Sequence, residues 1–268
     1  MENKIVTKTA DNYDISAIHT ISKGKGLVLW LHGITVNKDE YLNFFSDGAK
    51  YLYDYGFDSL RFDFRGHGES SGTSLDFSIS GQMLDIESVI DYLFTYYKKN
   101  ELRINLVGCS FGAPPAIYSA LRYPDIVQGI TLIAPVLSYK RTFINPETDW
   151  AQSIFNKKTL SKLSKTNKLY VNDDFPISAG LVEEMRLIEP DLALKQVKQD
   201  IVILHGDSDT MVPFSVSRDI ADSSPRIRLV SFRNMDHGFT DIDDEIGTSK
   251  KSKENKKRIY EIIAEQYI

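Results

Sequence analysis

The chain has 268 residues and a formal net charge of −5, with 32 Lys and Arg against 37 Asp and Glu. A mildly acidic protein has no general attraction for nucleic acid. Its single cysteine, Cys109, excludes an internal disulfide framework and a cysteine-rich zinc site. No apolar run approaches the ~20 residues that a membrane span needs. Because residues 1–8 carry charges with no apolar stretch behind them, we expect no signal peptide and a cytoplasmic protein.

Short apolar runs predict β-strands at intervals along the chain. Two β-like stretches near the start, around Ile5–Thr9 and Tyr13–Ile21, predict an antiparallel pair at a sheet edge. Residues 26–32 are nearly all apolar, as expected for a strand that is buried on both faces. Further strands are predicted at residues 58–64, 102–107, 127–133, 201–204 and 226–232.

Helical patterns lie between these strands. In residues 79–97, apolar residues recur at spacings of three and four, which predicts one buried stripe, and residues 254–267 show a similar pattern. Because strands alternate with helices, the sequence predicts an α/β protein whose mainly parallel sheet has helices on both faces.

One stretch, residues 138–189, lacks this alternation. We interpret it as an inserted cap over the carboxyl end of the sheet, with residues 1–137 and 190–268 forming the core. A disordered loop is the alternative interpretation, but the segment contains aromatic and apolar residues that favour folded structure. Three of its aromatic residues, Tyr139, Trp150 and Tyr170, are candidate substrate contacts.

The clearest chemical signal is the sequence Gly-Cys-Ser-Phe-Gly at residues 108–112, a G-x-S-x-G motif between a predicted strand and a helical segment. This context is that of a nucleophile elbow, in which a tight turn presents a serine above the sheet. Side chains two residues either side of Ser110 would collide, which explains Gly108 and Gly112. The amide of Phe111, at the start of the helix, is a candidate donor to an oxyanion.

A nucleophilic serine needs a base, which an acid in turn orients. In this architecture the chain order is serine, acid, histidine, and only His205 and His237 follow Ser110. His205 ends a predicted strand, with no plausible acid between it and a preceding strand end, whereas His237 lies in a loop after the last predicted strand. We therefore expect His237 to be the base, the alternative being a surface histidine in an acidic loop.

Two aspartates compete for the role of the acid. Asp209 lies four residues beyond its strand, where a loop could turn it toward the histidine, so we favour it. Asp207 lies nearer the strand and is expected to cap the turn. The loop after the first central strand should supply a second oxyanion donor, for which the Ile34 amide is the candidate, and His32 is expected to hold that loop through its ring nitrogens.

These motifs, in this order, resemble those of the α/β-hydrolase superfamily. They are His32-Gly33, Arg65-Gly66-His67-Gly68-Glu69-Ser70, Gly108-x-Ser110-x-Gly112, Gly206-x-x-Asp209-x-x-Val212-Pro213 and Asp236-His237. Within the superfamily the chain resembles compact serine esterases of the cinnamoyl/feruloyl type and their serine-aminopeptidase-like and monoacylglycerol-lipase-like relatives. The resemblance implies Ser110, Asp209 and His237 as a catalytic triad, with Ile34 and Phe111 as oxyanion donors.

The expected function is hydrolysis of a carboxylic ester through an acyl-enzyme, with a small or medium acyl group that includes aromatic groups. This chemistry requires no metal and no organic cofactor. The expected partner is a small-molecule ester, and a homodimer is left open. The same triad could instead serve a thioesterase, an aminopeptidase or amidase, or a carbon–carbon bond hydrolase. A member of the superfamily that binds a ligand without turnover is a further alternative.

Overall fold

A computed structural model describes residues 2–98, 100–244 and 246–267. Its strands are β1 Glu2–Lys8, β2 Asp14–Thr20, β3 Leu27–Leu31, β4 Asp58–Phe62, β5 Ile104–Cys109, β6 Val127–Ile133, β7 Leu169–Tyr170, β8 Pro176–Ile177, β9 Asp200–Gly206 and β10 Ile227–Phe232. Eight of these form one sheet in the order β1-β2-β4-β3-β5-β6-β9-β10, and β7 and β8 form a separate hairpin. From β4 to β10 the sheet is parallel, while β2 pairs antiparallel with both β1 and β4.

Helices cover both faces of this sheet. They are α1 Phe44–Asp54, α2 Ile79–Tyr96, α3 Ala113–Arg122, α4 Asp149–Ile154, α5 Lys157–Thr166, α6 Ala179–Leu187, α7 Pro190–Leu194, α8 Phe214–Asp222 and α9 Lys250–Tyr267. Alternate residues of β3 belong to opposite halves of the core: Leu29 packs in the cluster that contains α2 and α3, and Trp30 packs in the cluster that contains α1 and α9. Across the described residues, no helix combines the length and the apolar character required to cross a bilayer.

The predicted α/β class is confirmed, and each predicted strand is found with bounds that differ by a few residues. The stretches near the start form the expected antiparallel edge. Helices α1 and α8 have no counterpart in the sequence prediction. Both contain weak helix formers, Gly48 in α1 and two serines with a valine in α8, so tertiary packing rather than intrinsic propensity stabilises them.

The inserted segment, residues 138–189, is folded. It contains a π-helical turn at Lys140–Ile144, followed by α4, α5, the β7–β8 hairpin and α6. Phe143 and Phe155 are buried, with ring centroids 5.1 Å apart, so the segment joins the main apolar core. Its role as a cap with boundaries at residues 138 and 189 stays a prediction.

Candidate active site

Ser110 lies on a sharp turn between strand and helix. Strand β5 ends at Cys109, a 3-10 turn spans Ser110–Gly112, and α3 begins at Ala113. The φ angle of Ser110 is +50°, in a region that residues other than glycine enter at a cost. The turn therefore presents the serine in a strained backbone conformation, as the G-x-S-x-G motif predicts.

The two motif glycines are sterically required. A Cβ atom on Gly112 would lie 2.1 Å from the carbonyl oxygen of Leu31, and one on Gly108 would lie 2.6 Å from the carbonyl oxygen of Gly112. Both contacts involve backbone atoms of the sheet and the turn, which have little freedom to move. The elbow can thus pack this closely only with glycine at both positions.

The structure brings Ser110, His237 and Asp209 into one line of hydrogen bonds. The Nε2 atom of His237 lies 3.1 Å from Ser110 Oγ, and its Nδ1 atom lies 2.7 Å from Asp209 Oδ2. The loop that carries His237 is tethered to the loop that carries the acid, because Thr210 donates to Asp236 Oδ1 from its N–H at 2.9 Å and from its hydroxyl at 2.8 Å. No motif in the sequence indicates this tether.

Asp209 is fully buried and accepts four hydrogen bonds. Its Oδ1 atom accepts the N–H groups of Met211 and Val212, each at 2.8 Å, and its Oδ2 atom faces His237 and His205. Burial opposes its charge, but the charge of His237 and the bonds from both histidines hold the pKa of Asp209 well below its usual range. An ionised carboxylate therefore faces the candidate base.

The competing Asp207 has a different environment. Its Oδ1 atom accepts the N–H of Asn234 at 2.7 Å and the hydroxyl of Ser208 at 3.1 Å. It thus fastens its own turn to the loop after β10, as a capping carboxylate would, and the preference for Asp209 as the partner of His237 agrees with this geometry.

The electrostatics of His237 favour its protonated form. Burial opposes the imidazolium, but the charge and hydrogen bond of Asp209, together with the charge of Glu40, raise the pKa of His237 above its usual value. A histidine in this setting is suited to take a proton from a hydroxyl group and to hold it briefly.

The loop after β3, residues 33–43, lies beside the elbow. A Cβ atom on Gly33 would be 3.2 Å from the Cβ of Ser110, so the two turns are in contact. Ile34 lines the cavity above Ser110, and its N–H has no acceptor among the described contacts of turns and loops. Phe111 stands in the first turn before α3, where an N–H has no partner within the helix. The Ile34 and Phe111 amides therefore stay candidates for the oxyanion donors.

His32 holds the start of this loop, as the sequence predicts. Its Nδ1 atom lies 2.7 Å from the carbonyl oxygen of Gly33, and its Nε2 atom accepts the N–H of Phe64 at 2.9 Å. Burial lowers the pKa of His32 to about 4, so the ring keeps its acceptor at neutral pH.

Glu40 is a residue of the site that the sequence analysis missed. Its Oε2 atom accepts the N–H of Gly33 at 2.8 Å, its Oε1 atom accepts the N–H of Tyr41 at 3.2 Å, and its φ angle is +60°. Burial raises the pKa of Glu40, and the two N–H groups oppose this shift. Glu40 lies in an aperiodic loop with no motif around it, so only tertiary structure reveals the contact.

A cavity of about 530 Å³ opens above Ser110. Of the three candidate substrate contacts, only Trp150 lines it: Tyr139 is fully buried against Phe111, and Tyr170 is 49% exposed at the surface. The other residues that line the cavity are Gly33, Ile34, Thr35, Val36, Glu40, Tyr41, Phe44, Cys109, Ser110, Phe143, Val171, Asn172, Met211, Val212, Asp236, His237, Gly238, Phe239 and Thr240. Among the described residues, its lining includes two carboxylates and no Lys or Arg.

Within the same described ranges, no group of three or more His, Cys, Asp or Glu side chains is arranged to hold a metal ion.

The fold and the elbow define a member of the α/β-hydrolase superfamily. Est1E from Butyrivibrio proteoclasticus, solved with ferulic acid bound, superposes with a TM-score of 0.76 at 20% identity over 98% of each chain. Alpha/beta hydrolase domain-containing protein 10 from mouse gives a TM-score of 0.73 at 17% identity, covering 98% of this chain and 97% of that one. At these identities the likeness establishes the fold.

The family follows from the sequence comparison. Residues 22–243 match the model of the family "Serine aminopeptidase, S33", and the chain belongs to that family. A curated relative, the pimeloyl-(acyl-carrier protein) methyl ester esterase of Nitrosomonas europaea, is 26% identical over 247 residues, which cover 82% of this chain and 91% of that protein. The protein is thus a hydrolase of the α/β-hydrolase superfamily, with an esterase among its relatives.

Proposed function

We propose that the protein is a serine hydrolase that cleaves a carboxylic ester through an acyl-enzyme on Ser110. The observation that carries this proposal is the continuous line of hydrogen bonds from Ser110 through His237 to Asp209, with distances of 3.1 and 2.7 Å. These distances fall within the range in which a base can remove the proton of a nucleophile.

In the proposed mechanism, Ser110 Oγ attacks the ester carbonyl carbon while His237 Nε2 takes the hydroxyl proton. Asp209 fixes the ring through Nδ1–H and stabilises the imidazolium. The amides of Ile34 and Phe111 donate to the oxyanion, and each such donor contributes roughly 2.7–4 kcal/mol in related sites. The imidazolium then protonates the leaving alcohol. Water, activated by the same histidine, releases the acid and restores Ser110.

The cavity supports a small or medium acyl group. Its volume of about 530 Å³ is in the range of sites for small organic ligands. Phe143, Trp150 and Val171, all from the inserted segment, supply apolar wall, so we assign this segment the role of a cap over the acyl group. The carboxylates of Glu40 and Asp236 disfavour acyl groups that carry a negative charge.

The test is a panel of p-nitrophenyl esters of increasing acyl size, measured with the wild-type protein and with Ser110→Ala, alongside labelling by a fluorophosphonate probe. We expect turnover and labelling of the wild-type protein only. Equal ester turnover by both proteins, or a wild-type protein that binds esters without turnover or labelling, would refute the proposal.

A second candidate, cleavage of an aminoacyl amide or peptide, draws on the same two carboxylates. Glu40 and Asp236 line the cavity, and no Lys or Arg is among its described lining residues, which favours a substrate with an ammonium group. Aminoacyl p-nitroanilides run beside the ester panel separate the two candidates. Turnover of the amides with higher kcat/KM than any ester would favour this second function.

A further inference from the structure

A second histidine binds the carboxylate oxygen that faces the candidate base. His205, the next-to-last residue of β9, places its Nε2 atom 3.0 Å from Asp209 Oδ2, and both side chains are fully buried. On the other side of the ring, Nδ1 lies 2.7 Å from Ser217 Oγ in α8. No acid can be assigned to His205 from the sequence, but the structure shows that it shares Asp209 with His237.

The donors and acceptors in this cluster are set by the carboxylate. An ionised carboxylate only accepts hydrogen bonds, so the Nε2 atom of His205 has to donate its N–H to Asp209. Ser217 can donate to or accept from Nδ1, and its contact fixes the plane of the ring. The resulting chain of contacts runs from Ser217 through His205 and Asp209 to His237 and ends at Ser110.

We propose that His205 is a positioning residue of the active site, which acts through Asp209 and does not touch substrate. This inference rests on the proposed function. Two backbone N–H groups hold Oδ1, and the two histidines hold Oδ2. With all four positions filled, the carboxylate is fixed with Oδ2 toward His237. Without the N–H of His205, Oδ2 keeps one donor in a fully buried site, and the carboxylate gains freedom to rotate away from the base.

The competing explanation is that His205 only fills space between β9 and α8. The ring does pack edge-on against Phe214, with centroids 5.5 Å apart. A space-filling residue tolerates any polar substitute of similar size equally well. A positioning residue requires that the substitute reach Asp209, and this difference provides a test.

Substitution of His205 by Gln or by Asn distinguishes the roles of its two ring nitrogens, Nε2 and Nδ1. In His205→Gln the amide nitrogen reaches the position of Nε2 and can donate to Asp209, whereas in His205→Asn it reaches the position of Nδ1 and contacts Ser217 only. We expect His205→Asn to lower kcat for a p-nitrophenyl ester roughly 10- to 100-fold, with KM changed less than about twofold. His205→Gln should keep kcat within about fivefold of wild type.

The rate at which a fluorophosphonate labels Ser110 gives a readout that does not depend on deacylation. This rate should rank the His205 variants in the same order as kcat does. Ser217→Ala leaves the bond to Asp209 in place but frees the ring, so we expect a smaller loss of kcat, about threefold. Melting temperatures of the Asn and Gln variants should agree within a few degrees.

The inference is overturned if the Asn and Gln variants retain equal activity, or if both lose activity equally together with stability. The failure of the proposed function has a different signature. In that case the wild-type protein itself shows neither ester turnover nor labelling that depends on Ser110, before any His205 variant is compared.

Discussion

The elbow that carries Ser110 is in contact with the loop at residues 33–43. Both contain backbone strain, and this strain is stabilised in a different way in each. At the elbow, the positive φ of Ser110 is held by close packing of two glycines against backbone atoms. In the 33–43 loop, four residues other than glycine have positive φ angles, namely Thr35, Glu40, Leu42 and Asn43. Here hydrogen bonds and ion pairs from distant residues hold the chain. A local sequence motif thus determines the strained conformation at the elbow, while tertiary contacts stabilise the strained conformation of the loop.

The 33–43 loop is held by contacts to Asp63 and His67 and by a hydrogen bond within the loop. Lys38 donates from its N–H to Asp63 Oδ1 and from Nζ to Asp63 Oδ2, both at 2.7 Å. His67 Nε2 accepts the N–H of Thr35 at 3.4 Å, and Glu40 accepts the N–H of Gly33. Because these contacts are separate, single substitutions should each remove part of the stabilisation of the loop. At the elbow, one substitution of a motif glycine should disrupt the whole turn.

The largest effect is expected at the elbow. Gly112→Ala would place a Cβ atom 2.1 Å from the carbonyl oxygen of Leu31, a contact that neither β3 nor the turn can relieve. We expect a loss of more than about 4 kcal/mol in the free energy of unfolding, or no folded protein, in urea titrations. The matched control is Gly180→Ala in α6, where the nearest atom would be 3.7 Å away, and stability should change by less than about 1 kcal/mol. Similar losses in both variants would contradict this account.

Among single substitutions, Lys38→Met is expected to have the next largest effect on stability. It removes the ammonium group from a pair whose side chains are 8% and 0% exposed, so the carboxylate of Asp63 stays buried without its partner. The free energy of unfolding should fall by about 3 kcal/mol in urea titrations. Lys4→Met removes a surface ion pair to Glu69 and should cost less than about 0.5 kcal/mol. A Lys38 variant as stable as the Lys4 variant would show that this anchor does not hold the loop.

Low pH should reduce the stability of the protein through His32 and His67, which contact the 33–43 loop. Burial lowers the pKa of His32 to about 4 and that of His67 to about 3, so in this pH range the unfolded chain binds protons that the folded protein excludes. The stability that these two histidines contribute is therefore present above pH 6.5 and falls as the pH drops toward 4, by about 2 kcal/mol per histidine between pH 7 and pH 5. Urea titrations at these two pH values measure the loss. The raised pKa of His237 contributes with the opposite sign, so the test is the difference between two proteins. Between pH 7 and pH 5, His67→Gln should lose about 2 kcal/mol less than the wild-type protein, and an equal change in both would refute the prediction.

The smallest expected effect concerns Glu40, which orients the amide beside the candidate oxyanion donor. Glu40→Ala removes the acceptor of the Gly33 N–H, so the Ile34 amide loses its fixed direction, and we expect kcat to fall about 10-fold. Glu40→Gln keeps an amide oxygen for that N–H and should stay within about threefold of wild type. Steady-state kinetics with a p-nitrophenyl ester measure both. If Ala and Gln variants match the wild type, Glu40 has no part in orienting the loop.

The contrast between local motifs and tertiary contacts also explains which parts of the fold and of the candidate site could be predicted from the sequence. Strand positions, the elbow and the partners Asp209 and His237 follow from local patterns and from the fixed order of motifs, and the structure brings these residues together. Glu40 and His205 could not be assigned, because their contacts join residues whose proximity no periodicity predicts. Tyr139 and Tyr170 are candidates in the sequence because they are aromatic residues of the inserted segment, but composition does not predict which of its residues are buried.

The separation of the hydrogen-bonded residues along the chain has a consequence for refolding. Ser110 and His237 are 127 positions apart, and the inserted segment lies between them. Strands β9 and β10 precede the loops of the acid and the base. Before this contact can form, β9 has to pair with β6 and β10 has to pair with β9, and contacts between distant positions form slowly. After dilution from denaturant, ellipticity should therefore recover earlier than catalytic competence.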